Sequence, residues 1–234
     1  MNRAATLQGL QARIGAASGG RNVTLVAASK SQPAVALREL AAAGQRHFGE
    51  NYVQEALAKQ RELSDPALQW HMIGPLQSNK CEAVAGHFDW LQSLDREKLV
   101  PLLDRARPAH LPPLNVLIEV NLDGEASKSG CAPDRVCALA AELARAPRLR
   151  LRGLMSIPAP ATDPGDRRAA FARLRRLFEG LRTAYPQLDT LSMGMSDDFE
   201  AAISEGATMV RVGTALFGPR KPAGGGTGGD KGTA

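Results

Sequence analysis

The chain has 234 residues, 44% of them hydrophobic and 23% charged, with a formal net charge of +5. That is enough apolar material for one large core, about the size of a single α/β barrel, while aromatic residues at 4% are too few for the base-stacking platforms of single-strand nucleic-acid binders. Cys81, Cys131 and Cys137 show no paired spacing, so neither a disulfide framework nor a zinc motif is expected.

The segments alternate from end to end. Asn2 to Ala17 reads as a leading helix with no signal-peptide pattern. The first strand is Thr24–Lys30 and its helix is Pro33–Ala43, where Pro33 suits the first turn. His47–Asn51 and the helix Tyr52–Leu63 follow, then the strand Leu68–Gly74 and the helix Ser78–Gly86. Trp90–Leu94 precedes the helix Arg96–Arg107, with Asp95 at the N-cap. Leu114–Leu122 is the most strand-like run, followed by the helix Pro133–Arg145. Leu149–Ile157 leads to the helix Asp166–Ala184, Thr190–Met195 leads to the helix Asp197–Glu205, and Met209–Leu216 is the eighth strand.

Eight βα units with short links predict a closed (β/α)8 barrel of residues 1–220 with an extra N-terminal helix. The structural alternative is a doubly wound open sheet, but no GxGxxG follows the first strand. Residues 221–234 contain six glycines and are expected to form a disordered tail. No run approaches the roughly 18 apolar residues of a membrane span, so a cytoplasmic protein is expected. The arginines of 145–152 and 167–176 read as solvated helix faces, with a nucleic-acid or phosphorylated partner as the alternative. No spare apolar face is evident, and a monomer is expected.

Barrel sites lie at the carboxyl ends of the strands, and phosphate is often held by the loops after strands seven and eight. Here those loops carry Ser196, and Gly213 with Thr214. Their small and hydroxyl residues can present N–H and O–H donors to an anion, or can simply make turns, with Ser196 as a helix cap. Lys30 closes the first strand, next to strand eight in a closed barrel. Desolvation there favours a neutral amine able to attack a carbonyl, although strand-end lysines also mark re-entry into water. Arg211 alternates with Val210 and Val212, so it points either into the barrel, where it needs a partner, or outward to a helix carboxylate.

Several motifs in register resemble the YggS/PROSC-type pyridoxal 5′-phosphate (PLP)-binding homeostasis proteins. They are Ala28-Ser-Lys30, His47-Phe-Gly-Glu-Asn51, Trp70-His-Met-Ile-Gly-Pro-Leu-Gln-Ser-Asn-Lys80, Gly153-Leu-Met-Ser-Ile157, Leu191-Ser-Met-Gly-Met-Ser-Asp-Asp198 and Val210-Arg-Val-Gly-Thr-Ala-Leu-Phe-Gly218. The resemblance implies a barrel like the alanine racemase N-terminal domain without that enzyme's second domain. It implies PLP held on Lys30 as an internal aldimine, its phosphate on Ser196, Gly213 and Thr214, and its pyridine nitrogen facing Arg211. It also implies Asn51 and Met155 along the cofactor, although ordinary core packing accounts equally for Met155. His71 and Lys80 fall in a shared motif, and His71 reads either as a chemical group or as a satisfied core histidine.

An arginine at the ring nitrogen discourages ring protonation and weakens the cofactor as an electron sink. Racemisation needs a second acid/base opposite the lysine, and Tyr52 and Tyr185 are the only tyrosines. The expectation is therefore a PLP carrier acting in PLP homeostasis and amino-acid balance, not an enzyme. PLP-dependent apoenzymes are the expected protein partners, and no catalytic residue, metal, membrane or specific nucleic-acid site is expected. A weak amino-acid racemase is the alternative.

Overall fold

The computed structural model describes residues 2–125, 128–159 and 163–218. The segment expected as a disordered tail, 221–234, lies outside the described residues. Eight parallel strands close into a barrel in chain order. They are β1 (Thr24–Ala28), β2 (His47–Glu50), β3 (Gln69–Met72), β4 (Trp90–Leu94), β5 (Leu114–Glu119), β6 (Leu149–Met155), β7 (Thr190–Ser192) and β8 (Met209–Val212). The helices are α1 (Arg3–Ser18), α2 (Ala34–Ala42), α3 (Val53–Glu62), α4 (Cys81–His87), α5 (Val100–Ala106), α6 (Val136–Ala144), α7 (Pro164–Ala184), α8 (Phe199–Ser204) and α9 (Thr214–Phe217). The expected (β/α)8 barrel with a leading helix is the fold.

Local chemistry explains the elements. Asn2 caps α1 by accepting from Ala5 N–H, and the helix stops at Gly19 in the left-handed region. Leu7, Leu10 and Ile14 are spaced by three and four residues and form its buried stripe. The larger core fills the space between strands and helices. A fully buried leucine such as Leu37 or Leu40 contributes about 1.5–3 kcal/mol there.

A smaller apolar cluster of Val26, Trp90, Leu117, Met155 and Met209 packs inside the barrel, beside the buried side chains of His71 and Ser192. Two residues further along β4, β5 and β8, on the same face, stand Gln92, Glu119 and Arg211. An apolar plug thus gives way to a polar layer toward the carboxyl ends of the strands.

Some boundaries differ from the sequence expectation. β1 ends at Ala28, and Lys30 lies in the following turn. Residues 214–216, expected to end strand eight, belong to α9, because Leu216 and Phe217 N–H both turn back to Gly213 O at 2.9 Å. Asp95 is not an N-cap: a 3₁₀ turn, Glu97–Leu99, opens that segment, and Asp95 Oδ1 accepts from Arg96 Nη1 at 2.7 Å. Pro33 sits at the N-cap with extended backbone, one residue before the first turn of α2. The arginine-rich stretches mostly make surface ion pairs, such as Arg145–Glu142 and Arg173–Asp123. Arg152 departs from this, pairing with Asp189 while its guanidinium lies 4.8 Å from the centre of the Trp90 ring.

Candidate functional site

A pocket of about 220 Å³ opens at the carboxyl end of the barrel, lined by Lys30, Ser196, Arg211, Gly213 and Thr214. Ile73, Ile157, Met195 and Phe217 supply apolar walls. Five of the seven residues singled out from sequence are therefore brought together, from β1, β7 and β8 and the loops that follow them.

Lys30 stands in a turn that is held tightly. On its amino side, Ser29 is fully buried, and its carbonyl accepts from Lys59 Nζ at 2.7 Å. Ser29 Oγ donates to Glu50 Oε1 at 2.5 Å. On its carboxyl side, Ser31 N–H donates to Glu55 Oε1 at 2.5 Å. Ser31 is the one non-glycine residue with positive φ among those described, a conformation that needs support from its surroundings. Lys59 joins the two sides, with Nζ 2.7 Å from both Glu50 Oε1 and Glu55 Oε1. Burial pushes the Glu50 carboxyl up, against the opposing pull of Lys59 and Ser29. Its Oε2 is buried without a hydrogen-bond partner among the described residues.

The opposite wall brings two loops together. Ser196 Oγ accepts from Ala215 N–H at 3.3 Å, joining the loop after β7 to the start of α9. Ser196 is not the cap of α8; Asp198 takes that position, and its Oδ1 accepts from Met195 N–H at 2.6 Å. Gly213 sits where a Cβ would come within 3.1 Å of Ala28 O, so a bare backbone allows β8 to close against β1. Gly194, at φ +95°, lets the chain leave β7 where a Cβ would come within 2.6 Å of Ala202 Cβ.

Arg211 points into the barrel and is only 4% exposed. Its Nη1 donates to Ser192 Oγ at 2.6 Å and its Nη2 to Ser156 O at 2.9 Å. Burial lowers its pKa to about 10, with Glu119 and Asp198 acting in the opposite direction. It remains a cation at neutral pH.

The remaining sequence candidates lie elsewhere. Met155 is fully buried in the inner apolar cluster and does not line the pocket. Asn51, half-buried after β2, is also absent from the lining. The Asn51 backbone packs against Gly74, where a Cβ would come within 2.4 Å of Asn51 O. His71 is fully buried inside the barrel, and Lys80 ends the 3₁₀ turn before α4. Tyr52 is exposed ahead of α3, Tyr185 follows α7, and neither lines the pocket. Among the described residues, no group of three His, Cys, Asp or Glu side chains could hold a metal ion.

Sequence reasoning missed Lys59, Glu50 and Glu119. Lys59 looks like any solvated helix lysine. Glu119 carried a usable signal, a lone acid in the apolar run Leu114–Leu122. Burial, reinforced by Asp95, pushes its carboxyl up to about 7, and Arg211 only partly offsets this.

A parallel barrel with a lysine after β1 and a donor-rich wall after β7 and β8 is an architecture of the alanine racemase type. The family described as alanine racemase, N-terminal domain, matches residues 11–221. The chain is 60% identical to the pyridoxal phosphate homeostasis protein of Pseudomonas aeruginosa over 198 residues, covering 85% of each chain. It is 54% identical to the protein of that name from Escherichia coli, covering 85% of this chain and 86% of the other. PipY of Synechococcus elongatus PCC7942, solved with PLP bound, superposes with a TM-score of 0.83 at 42% identity, covering 92% of this chain and all of that one. The chain belongs to the pyridoxal phosphate homeostasis protein family, within the wider group of alanine racemase N-terminal domains. Alanine racemase of Corynebacterium glutamicum and D-threonine aldolase of Filomicrobium marinum, at 21% and 22% identity, share the fold.

Proposed function

We propose that the chain holds PLP in the pocket at the carboxyl end of the barrel, with Lys30 as the covalent anchor, and acts as a carrier in PLP homeostasis, not as an enzyme. The observation that carries this reading is a lysine and a buried, charged arginine lining one small pocket whose other wall is Ser196, Gly213 and Thr214. The donor set suits a phosphorylated aromatic aldehyde. Ser196 and Thr214 offer hydroxyls as donors to a phosphate. Apolar side chains can cover the faces of a ring. Bound there, PLP supplies an aldehyde that a lysine amine captures reversibly and a pyridine ring whose protonation sets its electron-withdrawing power.

Arg211 supports the carrier role. A guanidinium that stays charged opposes a second positive charge on a nearby ring nitrogen. No tyrosine lines the pocket to serve as a second acid/base. Asn51 and Met155, at the ends of β2 and β6, are proposed to border the cofactor but do not line the pocket itself. Reversible capture gives a means of release to PLP-dependent apoenzymes, and a monomer suffices for it. The free cysteines Cys81, Cys131 and Cys137 suit a reducing cytoplasm.

The test is the visible spectrum of the purified chain before and after borohydride, with mass spectrometry of the Lys30 peptide. Trapping of PLP on Lys30, and its loss in a folded Lys30→Ala variant, are the expected results. A chain that takes up no added PLP would overturn the reading and favour a Schiff-base aldolase acting on a sugar phosphate. Turnover of an amino acid between its enantiomers would favour a racemase.

A further inference from the structure

A line of polar side chains runs through the barrel from Arg211 to the opposite end. Ser192 Oγ, which accepts from Arg211 Nη1, lies 2.7 Å from Gln92 Oε1. Gln92 Nε2 lies 2.9 Å from His71 Nδ1 and 3.2 Å from Met209 Sδ. His71 Nε2 lies 3.0 Å from His47 Nδ1. His47 is half-buried and borders a surface groove with Arg21, Thr24 and Arg46 at the amino end of the barrel. Ser192, Gln92 and His71 are all buried.

The direction of every bond in this line follows from Arg211. A guanidinium only donates, so Ser192 Oγ accepts its hydrogen bond and has one hydroxyl proton left to give. That proton goes to Gln92 Oε1. A thioether sulfur only accepts, which fixes the amide of Gln92 with its nitrogen toward Met209 and His71. His71 Nδ1 must then accept, so its ring proton sits on Nε2 and points at His47. Burial lowers the His71 pKa well below the ordinary value, in keeping with a neutral ring. Stacking against Trp90, with ring centroids 5.3 Å apart, fixes the plane of that ring.

We propose that Ser192, Gln92 and His71 are positioning residues that hold the Arg211 guanidinium in its place through a one-way hydrogen-bond chain ending at His47. The chain rests at one end on the reading that Arg211 faces the cofactor ring. Without it, Arg211 keeps only its bond to Ser156 O among the described residues and can rotate away from the ring nitrogen. The bound ring then sees a different donor and changes its absorption.

Two measurements test this. The first is ¹⁵N NMR of histidine-labelled chain without cofactor, which needs no assumption about PLP. The expected result is a neutral His71 with a bare Nδ1 and a protonated Nε2; the reverse tautomer overturns the chain. The second is titration of Gln92→Met with PLP. The expected result is a shifted absorption band and a several-fold weaker affinity, with Lys30 still trapped by borohydride. An unshifted band at wild-type affinity overturns the positioning role. If Gln92→Met does not fold, Ser192→Ala cuts the chain beside Arg211 at the cost of one hydroxyl and is read in the same way. Failure of the wild-type chain itself to take up PLP would instead sink the cofactor reading, while leaving the histidine tautomer to be measured on its own.

Discussion

Lys59 Nζ lies 2.7 Å from Glu50 Oε1 and 2.7 Å from Ser29 O, so one buried ion pair fixes the residue immediately before Lys30. Both partners are almost wholly inaccessible, with side-chain exposures of 6% and 0%. A pair of that kind adds little to stability compared with an apolar pair of the same shape, but breaking it leaves an uncompensated charge. Its value here is geometric, because it connects β2 and α3 to the turn that carries the lysine.

Lys59→Met should therefore destabilise the chain by about 3–5 kcal/mol. The double variant Lys59→Met/Glu50→Gln, which removes both charges, should recover much of that loss. Neither should restore the placement of Lys30, since the bond from Lys59 to Ser29 O is gone in both. Urea unfolding reads the first effect, and the rate of borohydride trapping of PLP reads the second. A double variant that regains stability and traps PLP at the wild-type rate would show that the clamp has no part in positioning the lysine.

Ser196→Ala should separate the phosphate from the rest of the ligand. A hydrogen bond to a charged group is worth about 1.5–3 kcal/mol, so affinity for PLP should fall roughly tenfold or more. Affinity for pyridoxal, which lacks the phosphate, should stay the same. Equal losses for both ligands in fluorescence titrations would place Ser196 away from the phosphate.

Gly194→Ala tests the backbone on which that wall depends. The residue sits at φ +95°, and an added Cβ would come within 2.6 Å of Ala202 Cβ and 3.0 Å of Phe199 Cα. The strained backbone alone costs of order 1–3 kcal/mol. The variant should melt earlier and bind PLP more weakly, because the loop after β7 must move. Unchanged melting would mean that the loop absorbs the methyl freely.

The barrel could be read from the sequence because each βα unit repeats the same physical pattern, an apolar run followed by an amphipathic one. The strand ends were harder to place. Leu216 and Phe217 are as apolar as a strand, and only the folding of their amides back to Gly213 O turns that segment into a helix. The grouping of Lys30, Ser196, Arg211, Gly213 and Thr214 around one pocket was legible because barrel topology puts the ends of β1, β7 and β8 on one rim. Met155 was not, since a methionine at a strand end looks the same whether it faces a ligand or, as here, the inner apolar cluster. Lys59 and Gln92 act through partners 30 and 100 residues away in the chain. No local pattern marks such contacts.

Glu119 gives the fold a dependence on pH. Its carboxyl, buried near Asp95, is pushed up from 4.5 to about 7. Between those values the folded chain holds a proton that the unfolded chain has released, so stability falls as pH rises from about 4.5 and levels off above about 7. At about 1.4 kcal/mol per pKa unit, the loss is about 3 kcal/mol. Glu119→Gln keeps the shape and removes the titration. Its stability relative to the wild type, measured by urea unfolding without cofactor, should rise across that window and gain nothing further above pH 8. Arg211→Gln should act in the opposite direction, because it removes the cation that holds the Glu119 pKa down. The loss with pH should then extend to higher pH than in the wild type. Parallel stability curves for wild type and Glu119→Gln from pH 5 to 8 would show that the carboxyl is ionised throughout and that Asp95 and burial do not govern it.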